Sequence, residues 1–262
     1  MVKRIAVGAG VAVAAVLVLT SCVRLVQNGF DDRHSLSDRV TEVRVQNGSG
    51  NVTVRGGDSG AGTDIRRRVE YPKGRDKPEG VSYRLEGTTL VLDGCGSRCS
   101  VDYDVTLPSA DVRITGENSS GDVHLERVAS VDLHVGSGNA TFRDVAGSVR
   151  VDNSSGDLDV VAVGGDFTGR VGSGNTRLSG MRGAVTVESS SGDVDLATDA
   201  VKSVRADAGS GNLTVVVPPG SYRVDAATGS GETAVSVADD PNGAAELYLR
   251  SGSGDVTVRA AA

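Results

Sequence analysis

Apolar and polar residues alternate along most of this chain, and a short glycine-containing motif interrupts the alternation at nearly regular intervals. The motif is serine, glycine and a polar residue, and from Gly121 onward its glycines are 17, 18, 18, 18, 19, 20 and 23 residues apart. It occurs at Ser49-Gly50-Asn51, Ser120-Gly121-Asp122, Ser137-Gly138-Asn139, Ser155-Gly156-Asp157, Ser173-Gly174-Asn175, Ser191-Gly192-Asp193, Ser210-Gly211-Asn212, Ser230-Gly231-Glu232 and Ser253-Gly254-Asp255. Alternation with a period of two predicts β-strands, and the glycine motif predicts the turns between them.

Each repeat carries apolar residues at the same offsets from its turn. Two alternate directly after the polar residue, as at Val123 and Leu125, one more follows at Val128, and a second pair lies further on, as at Val149 and Val151. Short strands with this period predict an all-β fold, a parallel β-solenoid (β-helix) with about 18 residues per coil, over residues 117–262. A β-sandwich or meander with similar turns is the alternative.

The last residue of the motif alternates between aspartate and asparagine. Coils of a solenoid stack about 4.8 Å apart, so a column of aspartates would repel itself, whereas interleaved asparagines separate the carboxylates and offer amide donors. We therefore predict a mainly structural turn ladder, made of Asp122, Asn139, Asp157, Asn175, Asp193 and Asn212.

Two other interpretations of these turns stay open. In one of them the true repeat is 36 residues, and the Gly-Ser-Gly-Asn turns lie on the opposite edge from the Ser-Ser-Gly-Asp turns. In the other, the aspartates bind calcium, as in β-rolls, although the nonapeptide pattern of those proteins is not met here.

The period breaks between Arg55 and Gly116, where longer strands are predicted. Because a solenoid needs a cap over its open end, residues 40–116 are predicted to be N-terminal strands and a capping segment. The basic run Arg66-Arg67-Arg68 within it is predicted to lie on a solvated edge strand, where charges discourage pairing with another sheet.

The first twenty-two residues predict an exported lipoprotein. Two basic residues precede an apolar stretch, residues 5–19, which is too short to span a membrane comfortably and is typical of a secretory signal. It ends in Leu19-Thr20-Ser21-Cys22, which is similar to a bacterial lipobox. We predict a signal peptide over residues 1–21, acyl chains on Cys22 and a polar tether over residues 22–39. An ordinary signal peptide or an uncleaved anchor is the alternative.

Cys95 and Cys99 are then the remaining cysteines. An even pair in an oxidising compartment predicts a disulfide, which would pin a loop. Free thiols or a redox-active pair are the alternatives, although redox pairs usually have two intervening residues rather than three. The three histidines are scattered, so no metal site is predicted.

Composition narrows the classes of function. The chain has 36 glycines but only six prolines, which excludes collagen, and its formal net charge of −7 argues against a general nucleic-acid binder. Tryptophan is absent and the five tyrosines are dispersed, so aromatic stacking of a sugar is not indicated.

Residues 101–108, residues 111–114 and the repeated Ser-Gly-Asp-Val-x-Leu and Ser-Gly-Asn units resemble a bacterial family of adhesin-like β-strand repeats, related to the head GIN domain. The resemblance extends over roughly residues 40–258. It implies a right-handed β-helix and a non-catalytic envelope protein, and it supplies no catalytic residues.

The predicted function is that of a non-catalytic, adhesin-like interaction or envelope-sensing scaffold on the extracytoplasmic face of the cell membrane. Its predicted partners are the membrane, through the lipid anchor, and an unknown protein or envelope polymer. No cofactor and no nucleic acid are predicted. The alternative is a β-helix protein that binds calcium, or that binds or processes carbohydrate.

Overall fold

The computed structural model describes residues 27–57 and 62–261. The predicted signal peptide and Cys22 lie outside these ranges. Regular structure in the described ranges is entirely β, as predicted. In chain order the strands are β1 (Gln27–Leu36), β2 (Glu42–Asn47), β3 (Val52–Gly56), β4 (Thr63–Pro72), β5 (Tyr83–Glu86), β6 (Thr89–Asp93), β7 (Ser100–Leu107), β8 (Arg113–Ser120), β9 (Val123–Val128), β10 (Ser130–Ser137), β11 (Ala140–Val145), β12 (Val149–Ser155), β13 (Leu158–Val163), β14 (Phe167–Ser173), β15 (Thr176–Met181), β16 (Val185–Ser191), β17 (Val194–Thr198), β18 (Val204–Ser210), β19 (Leu213–Val217), β20 (Tyr222–Thr228), β21 (Thr233–Val235), β22 (Ala245–Ser251) and β23 (Val256–Ala260).

The strands form two large mixed sheets, neither of which closes into a barrel. Sheet 1 has 12 strands in the order β1-β4-β7-β3-β9-β11-β13-β15-β17-β19-β23-β21. Sheet 2 has 11 strands in the order β20-β22-β18-β16-β14-β12-β10-β8-β2-β6-β5. From β8 to β19 successive strands alternate between the sheets, so each glycine turn carries the chain from sheet 2 to sheet 1. No helix in the described part of the chain is long and apolar enough to cross a membrane.

Neighbouring strands in the repeat region are parallel and keep a constant register. In sheet 2, Val149 pairs with Phe167, and Phe167 pairs with Val185. In sheet 1, Phe142 pairs with both Leu125 and Val160. The finer prediction, a right-handed solenoid with about 18 residues per coil, stays a prediction.

The predicted capping segment, residues 40–116, contributes to both sheets. Strands β2 and β3 pair in parallel with β8 and β9, so the first glycine turn, at Gly50, lies beside the turn at Gly121. Strand β4 instead pairs antiparallel with β7, and β5 pairs antiparallel with β6 at the far edge of sheet 2. The long insertion between the first and second turns therefore extends the sheets past the first repeat.

The prediction of a polar tether over residues 22–39 is wrong for the ten residues of β1. This strand pairs antiparallel with β4 from Gln27 opposite Pro72 to Leu36 opposite Thr63. Its half-buried positions alternate, but two of them are the polar residues Asp32 and His34. Strand β1 is held partly by polar contacts to other strands. Its sequence therefore lacks the apolar alternation by which a strand is recognised.

The core is built from alternate positions of the strands, mainly valine and leucine. Its members include Leu125, Phe142 and Val160, which are fully buried and stack across three neighbouring strands of sheet 1. Small branched side chains suit this arrangement, because each repeat offers only a few inward positions between its two strands.

The glycine of each turn is required by close approach of the neighbouring repeat. Gly156 has a φ of 123°, and a Cβ built there would lie 2.2 Å from the carbonyl oxygen of Gly138. The corresponding glycines of the other repeats have the same conformation and similarly close contacts. A side chain at this position would therefore both strain the backbone and separate neighbouring turns.

Candidate functional site

The predicted turn ladder forms a continuous chain of hydrogen bonds along one edge of the molecule. In each step, the side-chain Oδ1 of one ladder residue accepts a hydrogen bond from the backbone N–H of the next. Asn175 N donates to Asp157 Oδ1 at 2.8 Å, and Asp193 N donates to Asn175 Oδ1 at 3.1 Å. The same bond joins Asn139 to Asp122, Asp157 to Asn139 and Asn212 to Asp193. All six predicted ladder residues are therefore brought together.

The donor in the ladder differs from the expected one. We expected asparagine side-chain amides to bridge the carboxylates, whereas the backbone N–H is the donor to Oδ1 at every one of these steps. Aspartate and asparagine both supply an Oδ1 acceptor, so both fit the same position. Alternation is then needed only to keep charged groups apart.

The ladder extends further in both directions than the sequence predicted. Asn51 Oδ1 accepts from Asp122 N, and Asp102 Oδ1 accepts from Asn51 N, at 2.8 and 2.7 Å. At the other end Asp255 N donates to Asn212 Oδ1, and Glu232 N donates to Asp255 Oδ1. The Asp/Asn alternation continues without a break from Asp102 to Asp255.

The added ladder residues were hidden for different reasons. Asn51 and Asp255 carry the Ser-Gly motif, but 71 and 43 residues of chain separate them from their ladder neighbours. Asp102 follows Ser100-Val101 and has no glycine before it, so no sequence signal marked it.

Both kinds of turn lie in one column. Ser137 of a Gly-Ser-Gly-Asn turn pairs with Ser155 of a Ser-Ser-Gly-Asp turn, and Ser155 pairs in turn with Ser173. The alternative that placed them on opposite edges is therefore wrong. The turns of Asp122 and Asp157 are preceded on the inside by a buried asparagine, and so is the turn of Asn51, where Asn47 Nδ2 donates to the Gly50 carbonyl at 3.2 Å.

These inward asparagines brace the turns. Asn118 Nδ2 donates to the Gly121 carbonyl at 2.8 Å, and Asn153 Nδ2 donates to the Gly156 carbonyl at 2.9 Å. Both side chains are fully buried, while the intervening position in the column is Val135. The hydrogen bond holds the carbonyl of the left-handed glycine from inside the fold.

The ladder is a row of carboxylates that neutral asparagines hold apart. Its carboxylates are two strand spacings apart, roughly 10 Å, because a neutral asparagine intervenes. Oδ1 of each carboxylate is committed to a backbone N–H, and Oδ2 remains. Within residues 27–57 and 62–261, no three His, Cys, Asp or Glu side chains are grouped so that they could hold a metal ion.

A second polar cluster lies under the antiparallel strands at the N-terminal end. The Arg67 side chain is only 2% exposed and holds the Asp32 carboxylate with two hydrogen bonds, one of them from Nε at 2.9 Å. Arg67 also donates to the Ser82 hydroxyl at 2.8 Å. The Tyr103 hydroxyl contacts Ser82 Oγ and donates to the Asp93 carbonyl, both at 2.6 Å.

The ionisation of this cluster suits a structural role. Burial alone raises the pKa of the Asp32 carboxyl, but the hydrogen bond and charge of Arg67 outweigh burial and lower the pKa below its usual value. Burial raises the pKa of Tyr103. The Ser82 hydroxyl therefore faces a guanidinium, which has no acceptor, and a neutral phenol, and neither can act as the base that a nucleophilic serine needs.

The prediction that Arg66-Arg67-Arg68 lies on a solvated edge strand is wrong. Strand β4 lies between β1 and β7, so the edge strand is β1. Alternation along β4 turns Arg67 inward, while Arg66 and Arg68 stay exposed and pair with Asp64 and Asp31 at 3.5 and 2.9 Å. These three cations are therefore explained by the carboxylates with which they pair, and not by a need to keep another sheet away from an edge strand.

The Cys95–Cys99 disulfide is present, with a Cα–Cα distance of 5.6 Å. It closes the connection between β6 and β7, and both cysteines pack partly against the core. Gly94 N donates to the Gln46 carbonyl at 3.2 Å, which ties this connection to sheet 2. The disulfide therefore restrains a loop, in the place where that role was predicted.

The fold and its ladder define an all-β repeat protein. Residues 105–261 match the Toastrack DUF4097 family, and the chain belongs to that family. A comparison with curated proteins finds no match.

Several solved structures are similar to this chain at low identity. A candidate adhesin from Bacteroides fragilis is 15% identical, with 88% of this chain and 97% of that chain covered and a TM-score of 0.42. A candidate adhesin from Parabacteroides merdae is 9% identical, with 89% and 96% covered and a TM-score of 0.38. A candidate lipid-binding protein from Parabacteroides distasonis is 12% identical, with 87% and 96% covered and a TM-score of 0.38.

The ladder predicts opposite effects for two conservative substitutions. Asn175→Asp keeps the Oδ1 acceptor but places three carboxylates on adjacent turns, so we expect a loss of about 1 kcal/mol in the free energy of unfolding at neutral pH. Asp157→Asn also keeps the acceptor and removes a charge, so we expect a change within about 0.5 kcal/mol or a gain. Urea unfolding measures both.

Salt and acid show whether repulsion between carboxylates causes the loss of stability in the Asn175→Asp variant. Neighbouring carboxylates raise the folded-state pKa of the introduced carboxyl, so its destabilisation is present above that pKa and disappears as the pH falls through it. High salt should reduce it as well. A loss that is equal at all pH values would contradict the repulsion explanation.

The buried ion pair predicts a larger effect at Asp32. Asp32→Asn leaves the Arg67 charge buried without its counter-ion, so we expect a loss of about 3 to 5 kcal/mol in the free energy of unfolding. Asp31→Asn is the matched control, because both side chains of its pair with Arg68 are exposed to solvent and the pair should therefore contribute far less to stability.

Acid titration tests the same pair. Because the folded-state pKa of Asp32 is lowered, its contribution is present above the unfolded-state pKa and is lost as the pH falls through the folded-state value. Wild-type protein should therefore lose more stability in acid than the Asp32→Asn variant does. Parallel acid profiles would show that the pair does not carry this stability.

Proposed function

We propose that this protein is a non-catalytic, adhesin-like scaffold, anchored to the outer face of the cell membrane, which presents its ladder edge to a protein or an envelope polymer. The observation that carries the proposal is the unbroken Asp/Asn ladder from Asp102 to Asp255. It places carboxylates at a constant spacing on a backbone that its own hydrogen bonds hold in register. A regular, rigid row of like charges suits a polymeric or repetitive ligand better than a single small molecule.

The commitment of Oδ1 supports a structural and adhesive use of these carboxylates. A general acid or a calcium ligand needs its oxygens available to substrate or ion, whereas each Oδ1 here already accepts a backbone N–H. The remaining oxygens are two strand spacings apart, which suits separate contacts along an extended partner.

The finer description of the fold belongs to the same proposal. We take the two sheets to be faces of a right-handed parallel β-solenoid with about 18 residues per coil. Support comes from the constant register of parallel pairs such as Val149 with Phe167, and from ladder bonds that join residues 18 positions apart. Such a solenoid would hold the ladder straight along one edge.

Anchoring rests on the sequence around Cys22. The lipobox-like segment ends at Cys22, and only residues 23–26 separate this cysteine from the first strand. Acyl chains there would hold the domain at the extracytoplasmic face of the cell membrane, since two or more chains give stable attachment.

Metabolic labelling with radioactive palmitate tests the anchor in cells that make the full chain. We expect label in the wild-type protein and in Cys99→Ser, but none in Cys22→Ser, which should also leave the membrane fraction. Cys99→Ser is the matched control because it removes a cysteine outside the lipobox-like segment. Label in Cys22→Ser, or no label in the wild type, would refute lipid attachment at Cys22.

Co-sedimentation with insoluble envelope polymer from the producing bacterium tests the ladder edge. For the full chain purified in detergent, we expect the triple variant Asp122→Asn, Asp157→Asn and Asp193→Asn to bind roughly tenfold more weakly than wild type, because charge is lost while the ladder bonds remain. The control variant replaces Asp111, Asp132 and Asp195 with asparagine.

Three results would contradict this use of the ladder edge. The first is that wild-type protein does not sediment, the second is that the ladder variant binds as well as wild type, and the third is that both triple variants lose binding equally. Binding that requires calcium and is abolished by chelator would favour the calcium-binding alternative instead.

A further inference from the structure

We propose that a cationic end of the domain docks on the headgroups of anionic phospholipids and so orients the protein on the membrane. We call this surface the basic end and define it by Lys73, Arg75, Lys77 and Arg98. The inference rests on the proposed membrane anchor and adds to it a second, electrostatic contact.

The topology brings three chain segments together at this end. Gln27, the first residue of β1, pairs with Pro72, the last residue of β4. On the other side of β4, Glu70 pairs with Ser100, the first residue of β7. The start of β1, the turn that follows β4 and the disulfide loop that precedes β7 therefore converge, and Gln27, Pro72 and Arg98 line one cleft.

The basic end is cationic on a protein whose net charge is −7. Its four cations are exposed, and none of them makes an ion pair with any residue in the described part of the chain. On the neighbouring strands, by contrast, Arg33 and Arg68 pair with Asp64 and Asp31. Two acidic residues of the turn, Asp76 and Glu79, offset part of the charge, so the basic end is moderately rather than strongly positive.

Apolar groups lie among these cations. Lys77 Nζ lies 4.0 Å from the centre of the Phe30 ring, and Phe30 packs edge-on against Tyr71 with ring centres 6.3 Å apart. Val81, at the end of the same turn, is 49% exposed. Aromatic rings and lysine side chains with apolar stems suit the boundary between headgroups and acyl chains.

The chain connects this end to the predicted anchor over a short distance. Residues 23–26 lie between Cys22 and Gln27, so a fully extended connection reaches at most about 18 Å. Strand β1 pairs with β4 along its whole length, so the start of β1 moves only with the domain. An acylated Cys22 would therefore hold the basic end within reach of the headgroups, and Arg24 adds a cation to the connection.

Anionic phospholipid is the partner that this combination fits. Each lysine or arginine close to an anionic membrane strengthens association roughly fivefold, and the effect is confined to about a Debye length of the surface. The acidic ladder would be repelled by the same surface. With the basic end down, the membrane contact and the ladder edge use different groups of the protein.

Hydrogen exchange on the lipidated full chain tests the contact. The protein is reconstituted on vesicles of phosphatidylcholine with or without phosphatidylglycerol, and amide exchange is followed in residues 73–82 and 95–99. We expect exchange there to be about tenfold slower on vesicles that contain phosphatidylglycerol. Exchange in β11 to β13 should be the same on both and reports that the fold is intact.

Two variants that each lose four positive charges test whether the basic end causes this protection from exchange. Lys73→Gln, Arg75→Gln, Lys77→Gln and Arg98→Gln together should abolish the protection. The control replaces four exposed arginines elsewhere, Arg113, Arg150, Arg177 and Arg182, with glutamine and should keep it. Inorganic phosphate added to phosphatidylcholine vesicles should protect nothing.

Flotation of the vesicles separates the two levels of the proposal. If the protein floats with both kinds of vesicle and its amide exchange at the basic end is equal on the two, the docking inference is overturned and the anchor stays in place. Flotation only with phosphatidylglycerol would support docking and overturn the anchor, and flotation with neither would overturn both. Protection by inorganic phosphate, or its loss in the control variant, would also overturn docking at the basic end.

Discussion

The close approach of neighbouring turns is the constraint on which the rest of this structure depends. At each turn the backbone of one repeat lies so near the next that only glycine fits, and the adjacent side-chain Oδ1 accepts the backbone N–H of the following repeat. The glycine sets the spacing and the hydrogen bond sets the register. Parallel strands on both sides of the turn then pair without slipping, and their alternate side chains meet in one continuous core.

The Asp/Asn alternation follows from two demands on one position. An acceptor is needed at every turn, which aspartate and asparagine meet equally well, whereas from Asp102 to Asp255 charge occurs only at every second turn, which separates the carboxylates on strands about 4.8 Å apart. The buried asparagines behind the turns of Asp122 and Asp157 also stabilise the turns, since they hold the turn carbonyls from inside. A device that keeps the fold in register thus also produces a regularly charged edge, which the proposed function uses.

The N-terminal end is held together by ion pairs rather than by repeated turns. Strands β1 and β4 are antiparallel and are joined by charge, with the buried Arg67 neutralised by Asp32 and exposed arginines paired across the strands. This ribbon links the predicted anchor to the repeats, because β1 begins a few residues after Cys22 and β7, beside β4, carries the first ladder residue, Asp102. The unpaired cations beyond its end form the proposed membrane contact, and the acidic ladder beside it is the proposed partner surface.

The sequence by itself determined the all-β class, the turns and the six central ladder residues, because these rest on local signals that recur: alternation, a glycine that needs positive φ and one polar position. Only the tertiary structure decided which residues outside the regular repeats join the ladder or form strands. Asp102 enters the ladder through the placement of β7 beside β3, and Asp32 marks a strand only because Arg67 is buried opposite it. Such pairings join residues 51 and 35 positions apart, and neither partner carries a pattern that announces the other. Local periodicity is readable from a chain, whereas contacts between unlike segments depend on where folding places them.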